Sequence, residues 1–158
     1  MSHFSVAVLT KEEPVLDESY FIDLLEPYME NCCSTPSIDY MEFFEDDDCE
    51  IDDATGKRGY WQNPDAKWDW LAVGGRWHGL LKLRDGSSCD SARICDLAEP
   101  FATYAAVTPD LEWNEKGKML WFGISTATEL ESQFWDDEFA ERFLGDPELY
   151  VSIIDCHI

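Results

Sequence analysis

Positive charge is scarce in this chain. Its 11 Lys and Arg stand against 34 Asp and Glu, a formal net charge of −23. A balance this acidic repels nucleic acid and anionic membrane surfaces, so direct binding to either is not expected. Long apolar runs are also missing: no stretch approaches the roughly 18 uncharged residues a membrane helix needs. The N-terminal MSHFSVAVLTKEEP lacks a basic lead and an extended apolar region, so it is not expected to be a signal peptide. The chain is expected to stay in the compartment where it is made.

Several catalytic and metal-binding patterns are absent. There is no phosphate-cradling GxxxxGK[ST], no GxSxG and no HExxH. The acidic run EDDDCEIDD lacks the glycine and the closing Glu of a calcium loop. The six cysteines, at positions 32, 33, 49, 89, 95 and 156, include no CxxC, and no His follows them at finger spacing. Neither a structural zinc site nor any other bound metal or cofactor is expected. Without an export signal, the thiols are expected to be reduced.

What is present is enough to build a core. The chain has 158 residues, seven Trp and nine Phe, the size of one ordinary domain, and residues 1–158 are read as such. Residues 4–9 read as a strand. Asp17 reads as the N-cap of a helix bearing Tyr20, Phe21, Leu24, Leu25 and Tyr28 at helical spacing, with Pro27 ending it early. About 30–58 reads as an irregular acidic loop, because eight of the twelve residues from Glu42 to Asp53 are acidic and repel one another. Trp68–Ala72 and Trp77–Leu83 read as the arms of a hairpin, with Gly74-Gly75 supplying a turn or a close backbone approach. Strands follow at 103–107 and 119–124. A helix is expected from Thr126 or Thr128 to Gly145, with Leu130, Phe134, Trp135, Phe139 and Phe143 as its apolar face. The last strand runs from Tyr150 to Ile154. The expected fold class is α+β, a mostly antiparallel sheet with two helices on one face, ferredoxin-like or related, with the first and last strands adjacent.

Three groups of residues could carry function. Residues 56–93 hold seven of the eleven bases, an island in an acidic molecule that also contains Trp68, Trp70, Arg76 and Trp77. Arg offers a planar fork for an anion and Trp a stacking face, so these four could line a ligand pocket. Pairing of the first and last strands would bring His3 and His157 together, near Asp155 and Cys156, in a group suited to metal binding or acid–base work. His3-Phe4-Ser5 resembles half of the paired His-x-Ser/Thr signature of two-histidine phosphoesterases, but no second copy occurs, which argues against that family. The third group is acidic: Glu42, Glu45, Asp46, Asp47, Asp48, Glu50, Asp52 and Asp53 in the loop, with Asp136, Asp137, Glu138 and Glu141 of the last helix. Together these could form a surface for a basic protein.

The string GYWQNPDAKWDW at 59–70 followed by Gly74-Gly75-Arg76-Trp77 resembles a family of small bacteriophage and prophage proteins. So do Ser2-His3-Phe4, Thr103 to Asp110 and the closing Asp155-Cys156-His157-Ile158. The resemblance implies a phage-encoded accessory protein in the bacterial host cytoplasm and assigns no activity. With the net charge, it points to an inhibitor of a host defence or nucleic-acid-handling complex, acting as a DNA mimic on a basic host protein. The alternative is a ligand-binding or hydrolytic domain using the Trp/Arg segment and the terminal histidines. On the cysteines the expectation is simple: thiol titration under denaturing, non-reducing conditions should count six free cysteines, and a count of two or none would contradict it.

Overall fold

The computed structural model of the protein describes residues 2–31, 36–120 and 124–158. Its elements are β1 (His3–Thr10), α1 (Glu18–Leu24), β2 (Glu42–Glu45), β3 (Gly59–Gln62), β4 (Trp70–Val73), β5 (Leu81–Lys82) and β6 (Ser88–Cys89). There follow β7 (Ser91–Arg93), β8 (Ala105–Val107), β9 (Trp113–Glu115), β10 (Met119–Leu120), β11 (Ile124–Ser125), α2 (Glu129–Phe143) and β12 (Tyr150–His157). The main sheet runs β4-β12-β1-β8-β9, and β7 pairs with β12 at the end of that strand opposite to β4. All its pairings are antiparallel except β1 with β8. The class is α+β, with the first and last strands adjacent, as their hydrophobic patterns imply.

β1 and β12 pair over their whole lengths, from His3 opposite His157 to Thr10 opposite Tyr150. Side chains alternate across a strand, so each strand contributes to two faces. Phe4, Val6, Val8, Ile154 and Cys156 join one core cluster, together with Phe21 and Leu25 of the α1 region and the indole of Trp68. Ala7, Leu9, Val151 and Ile153 join the other, with Trp135, Phe139 and Phe143 of α2. The helices therefore lie on opposite faces, not on one face as in a ferredoxin-like arrangement. The sequence carries the reason: both central strands are apolar at odd and even positions, which is the pattern of a sheet covered on both sides.

Asp17 caps α1 by accepting the Ser19 N–H, and Pro27 falls in a 3-10 turn just beyond the helix. α2 opens on a capping box in which Thr128 and Glu131 exchange hydrogen bonds. Its buried stripe is Trp135, Phe139 and Phe143, at i, i+4 and i+8. Leu130 and Phe134, expected on that stripe, are instead 65% and 54% exposed. With about 3.6 residues per turn they lie about 180° and about 140° around the helix from the middle of that stripe, so they face away from the sheet.

Two loop readings are also corrected. Glu42–Glu45 is not irregular: it pairs antiparallel with Gly59–Gln62, where Phe43 meets Trp61 and Phe44 stacks on Tyr60. Ion pairing of Lys57 with Glu45 and donation from Arg58 to the Cys49 carbonyl offset the repulsion that suggested an open loop. Trp68–Ala72 and Trp77–Leu83 do not form a hairpin. β4 pairs with β12, Gly75–Trp77 is a 3-10 turn, and β5 pairs with β6. The last strand pairs with β4 because β1 satisfies only one of its edges, which leaves the outward backbone groups at Ile154–His157 to be paired.

Cys49, Cys89, Cys95 and Cys156 are free thiols, while Cys32 and Cys33 fall outside the described residues. Among the described residues no helix is long and apolar enough to cross a membrane.

Two stability outcomes follow from α2. Phe139→Ala should cost about 3–5 kcal/mol in urea denaturation, whereas Leu130→Ala should be nearly neutral. Thr128→Ala should cost about 1 kcal/mol through the lost cap. Hydrogen bonds from the Thr128 N–H and hydroxyl lower the Glu131 carboxyl below its ordinary value. That contribution is present above the unfolded glutamate range and is lost as pH falls through the lowered folded value. The difference between the natural chain and Thr128→Ala should therefore narrow in acid.

Candidate functional site

His3, Ser5, Asp155 and His157 occupy odd positions of β1 and β12, on the α2 side of the sheet. They sit beyond the apolar cluster that α2 covers, at the end of the strand pair where the register opens with His3 opposite His157. Trp70 stands opposite His157 on β4, and its ring meets that of His3 edge-on at 5.7 Å. The two imidazoles contact each other, with ring centroids 5.3 Å apart and planes at 70°.

Each imidazole is braced by its own carboxylate. His3 Nδ1 lies 2.8 Å from Asp155 Oδ1, and Asp155 is nearly fully buried. The other Asp155 oxygen accepts the Arg76 N–H at 3.0 Å. His157 Nδ1 lies 2.6 Å from Asp69 Oδ1, and the Asp69 N–H donates to the His157 carbonyl at 2.9 Å. An ionised carboxylate only accepts hydrogen bonds, so each Nδ1 is the donor and each Nε2 faces away from its carboxylate. The Nε2 of His157 is buried and has no hydrogen-bond partner among the described residues. A buried polar atom left unpaired costs about 1–3 kcal/mol, so this one calls for an explanation.

The third histidine repeats the arrangement. His78 Nδ1 lies 2.7 Å from Asp90 Oδ2, and the other Asp90 oxygen accepts the Gly79 N–H at 2.7 Å. All three histidines of the chain are thus held through Nδ1 by an aspartate. The Gly74-Gly75 turn connects two of these pairs. A Cβ on Gly74 would stand 2.5 Å from Asp90 Oδ2, and one on Gly75 would stand 2.4 Å from the Asp155 Cβ. Both glycines also have positive φ, 69° and 50°, which L side chains rarely adopt. The hairpin expected around these glycines does not form, but the close backbone approach they also suggested does, against two carboxylates.

The structure brings His3, His157 and Trp70 together and sets Arg76 beside them through its backbone. The Arg76 side chain is exposed and has no ion pair among the described residues. Trp68 is elsewhere: it is 2% exposed in the α1-side core, and its Nε1–H donates to the Leu25 carbonyl. Trp77 packs on the α2-side cluster. Cys156 alternates to the face opposite His157, and burial pushes its thiol well above the ordinary range, so it is no nucleophile here. Ser5 Oγ accepts the Tyr104 N–H and serves the sheet. Asp69 and Asp90, the carboxylates that brace His157 and His78, are the members that sequence reading missed. Asp155 was read only as a neighbour of the histidines, although it shares their strand period.

No family model matches the chain, and no curated protein or solved structure matches it.

The candidate acidic surface is divided. β2 and β3 are rooted on the α1 side, where the Asn31 side chain donates to the Trp61 carbonyl, whereas α2 covers the other face. Glu42, Asp47, Asp48, Glu50 and Asp53 surround the β2–β3 hairpin. Asp46 and Asp52 accept local backbone N–H groups, and Glu45 pairs with Lys57. On α2, Asp136 pairs with Lys116 and Asp137 accepts from Gln133, while Glu138 and Glu141 are exposed. Among the described residues no group of three or more His, Cys, Asp or Glu is arranged to hold a metal ion.

Gly75→Ala tests the close approach. It combines a strained φ with a clash against Asp155 and should destabilise the fold by about 1–3 kcal/mol. It should also shift the His3 ring resonances in NMR, while Gly86→Ala, with nothing within 4 Å of the added Cβ, should leave them in place.

Proposed function

We propose that the paired terminal histidines form an acid–base site that hydrolyses phosphoesters. The observation that carries this reading is a buried, unpartnered Nε2 on one aspartate-braced imidazole, in ring contact with a second. Ester hydrolysis needs one proton taken and another given, and two imidazoles oriented by carboxylates supply both roles.

In the reading we favour, His157 Nε2 takes the proton from an attacking water as the new O–P bond forms. His3 starts the cycle as the imidazolium held by Asp155, and gives its Nε2 proton to the departing oxygen as the old P–O bond breaks. Proton exchange with solvent then resets both rings. Asp155 and Asp69 orient the rings and stabilise their protonated forms. Arg76 supports an anionic substrate: its amide holds Asp155, and its guanidinium is free of carboxylate partners among the described residues. Trp70, 47% exposed beside His3, offers a flat apolar wall for the leaving group.

The test is turnover of bis(p-nitrophenyl) phosphate by the purified chain. His3→Gln and His157→Gln should each lower the rate about 10²–10⁴-fold. Asp155→Asn should lower it less than removal of His3 does, because it disturbs orientation and leaves the ring present. Glu138→Gln on α2 should have no effect. Rates unchanged in both histidine variants, with the fold intact by circular dichroism, would show that the site does other work.

A further inference from the structure

On the α1 side of the sheet, away from the histidines, a groove of about 230 Å³ opens between the turn after α1, the 3-10 turn Ile38–Tyr40 and the loop after β3. Its walls include Tyr28, Tyr40 and Pro64, and its rim carries Asp39, Glu42 and Asp65. No Lys, Arg or His lines it, and none of these three carboxylates has an ion pair among the described residues. The walls are firm. The Tyr28 hydroxyl donates to the Leu111 carbonyl at 2.6 Å and accepts the Trp113 N–H. Beneath the loop, Asn63 is 2% exposed and donates to the carbonyls of Pro27 and Met29, while its Oδ1 accepts the Asp65 N–H.

Beyond Glu42 the same side of β2 carries an exposed apolar pair. Glu42 and Phe44 point to the same side of β2, where Phe44 stacks on Tyr60 at 5.9 Å; the two rings are 36% and 44% exposed. Ile38 and Tyr40 beside it are 63% and 37% exposed. The physical problem is one of charge and shape together. Three unpaired carboxylates around aromatic and proline walls repel one another and attract a cation with a flat, weakly hydrated head. A guanidinium meets both conditions: it hydrogen-bonds carboxylates in its plane and stacks its face on a tyrosine ring. The neighbouring apolar face suits the side chains next to such an arginine in an extended segment.

We infer that this groove is a docking site for an arginine-bearing segment of a basic protein, with the arginine side chain between Tyr40 and the Asp39, Glu42 and Asp65 carboxylates and flanking apolar residues on Phe44 and Tyr60. The partner class follows from charge complementarity with a chain of net charge −23 that presents an apolar strip beside its acids. It narrows the broad acidic surface expected from composition to one side of the molecule and excludes the α2 acids.

The experiment is NMR titration of the full chain with the peptide Ac-Gly-Leu-Arg-Leu-Gly-amide, and with the same peptide carrying Gln in place of Arg. The arginine peptide should move the amide resonances of Asp39, Tyr40, Glu42, Phe44 and Asp65, and the Gln peptide should not. The variant Asp39→Asn, Glu42→Gln, Asp65→Asn should bind the arginine peptide about tenfold or more weakly. A control that neutralises three α2 acids, Asp137→Asn, Glu138→Gln and Glu141→Gln, should bind as the natural chain does. Both variants change the net charge equally, so equal weakening would reduce the effect to bulk charge and overturn the proposal. Shifts spread over acidic residues on both faces, or identical shifts with the Gln peptide, would overturn it as well. The comparison of the two peptides on the natural chain decides the question even if a variant fails to fold. Tyr40→Ala supplies a second check, since it removes the stacking wall without altering charge, and it should also weaken binding.

Discussion

The antiparallel pairing of β1 with β12 sets the position of nearly everything else. It joins the two ends of the chain over eight residue pairs, and the other strands of the main sheet add to its two edges. Because the side-chain period of a strand is two, a register slip of one residue would exchange the two faces throughout. The Phe4, Val6 and Val8 set would then meet α2, and Ala7 and Leu9 would meet α1. Both sets are apolar, but their volumes differ, and a close-packed interior does not accept the exchange. Register is therefore specified by packing on both sides, and the same register fixes His3 opposite His157.

The polar end of that strand pair is held differently from its apolar middle. Asp155 is a nearly buried carboxylate, and burial of a charge is tolerated only when its oxygens are satisfied. Here one oxygen meets His3 and the other meets the Arg76 N–H. The second contact requires the chain after β4 to come very close, which is possible only because Gly75 has no side chain. A short chain of necessity links them: the imidazole needs the carboxylate, the carboxylate needs the amide, and the amide needs the glycine.

Charge is managed locally and incompletely. Lys57, Lys67, Arg93 and Lys116 each find a carboxylate, and these mostly exposed pairs contribute little to stability individually. With 34 acids against 11 bases, most carboxylates have no cation to meet, and the compact state carries their mutual repulsion. Screening by salt relieves that repulsion most where acids crowd, around the β2–β3 hairpin and the solvent side of α2. The aromatic pairs Phe43–Trp61 and Phe44–Tyr60 hold the hairpin together against it.

The sequence by itself determined the α+β class, the adjacency of the end strands, the Asp17 cap and the early end of the first helix, and narrowed the cap of the last helix to Thr126 or Thr128, because each depends on local pattern or on hydrophobic period. The period-two runs of β1 and β12 were also sufficient to place His3, Asp155 and His157 on one face once the strands pair. Only the tertiary structure decided the rest. The side of the sheet that a helix covers depends on the path of its connections, so α1 and α2 on opposite faces could not be read from either helix alone. Trp68 and Trp70 look equivalent in sequence, yet one is buried against Leu25 and the other stands beside His3, because the chain enters the sheet edge between them. The bracing roles of Asp69 and Asp90 left no local signal at all. Their partners lie 88 residues away for Asp69 and 12 apart for Asp90 and His78, and such contacts exist only when folding closes the loops between them.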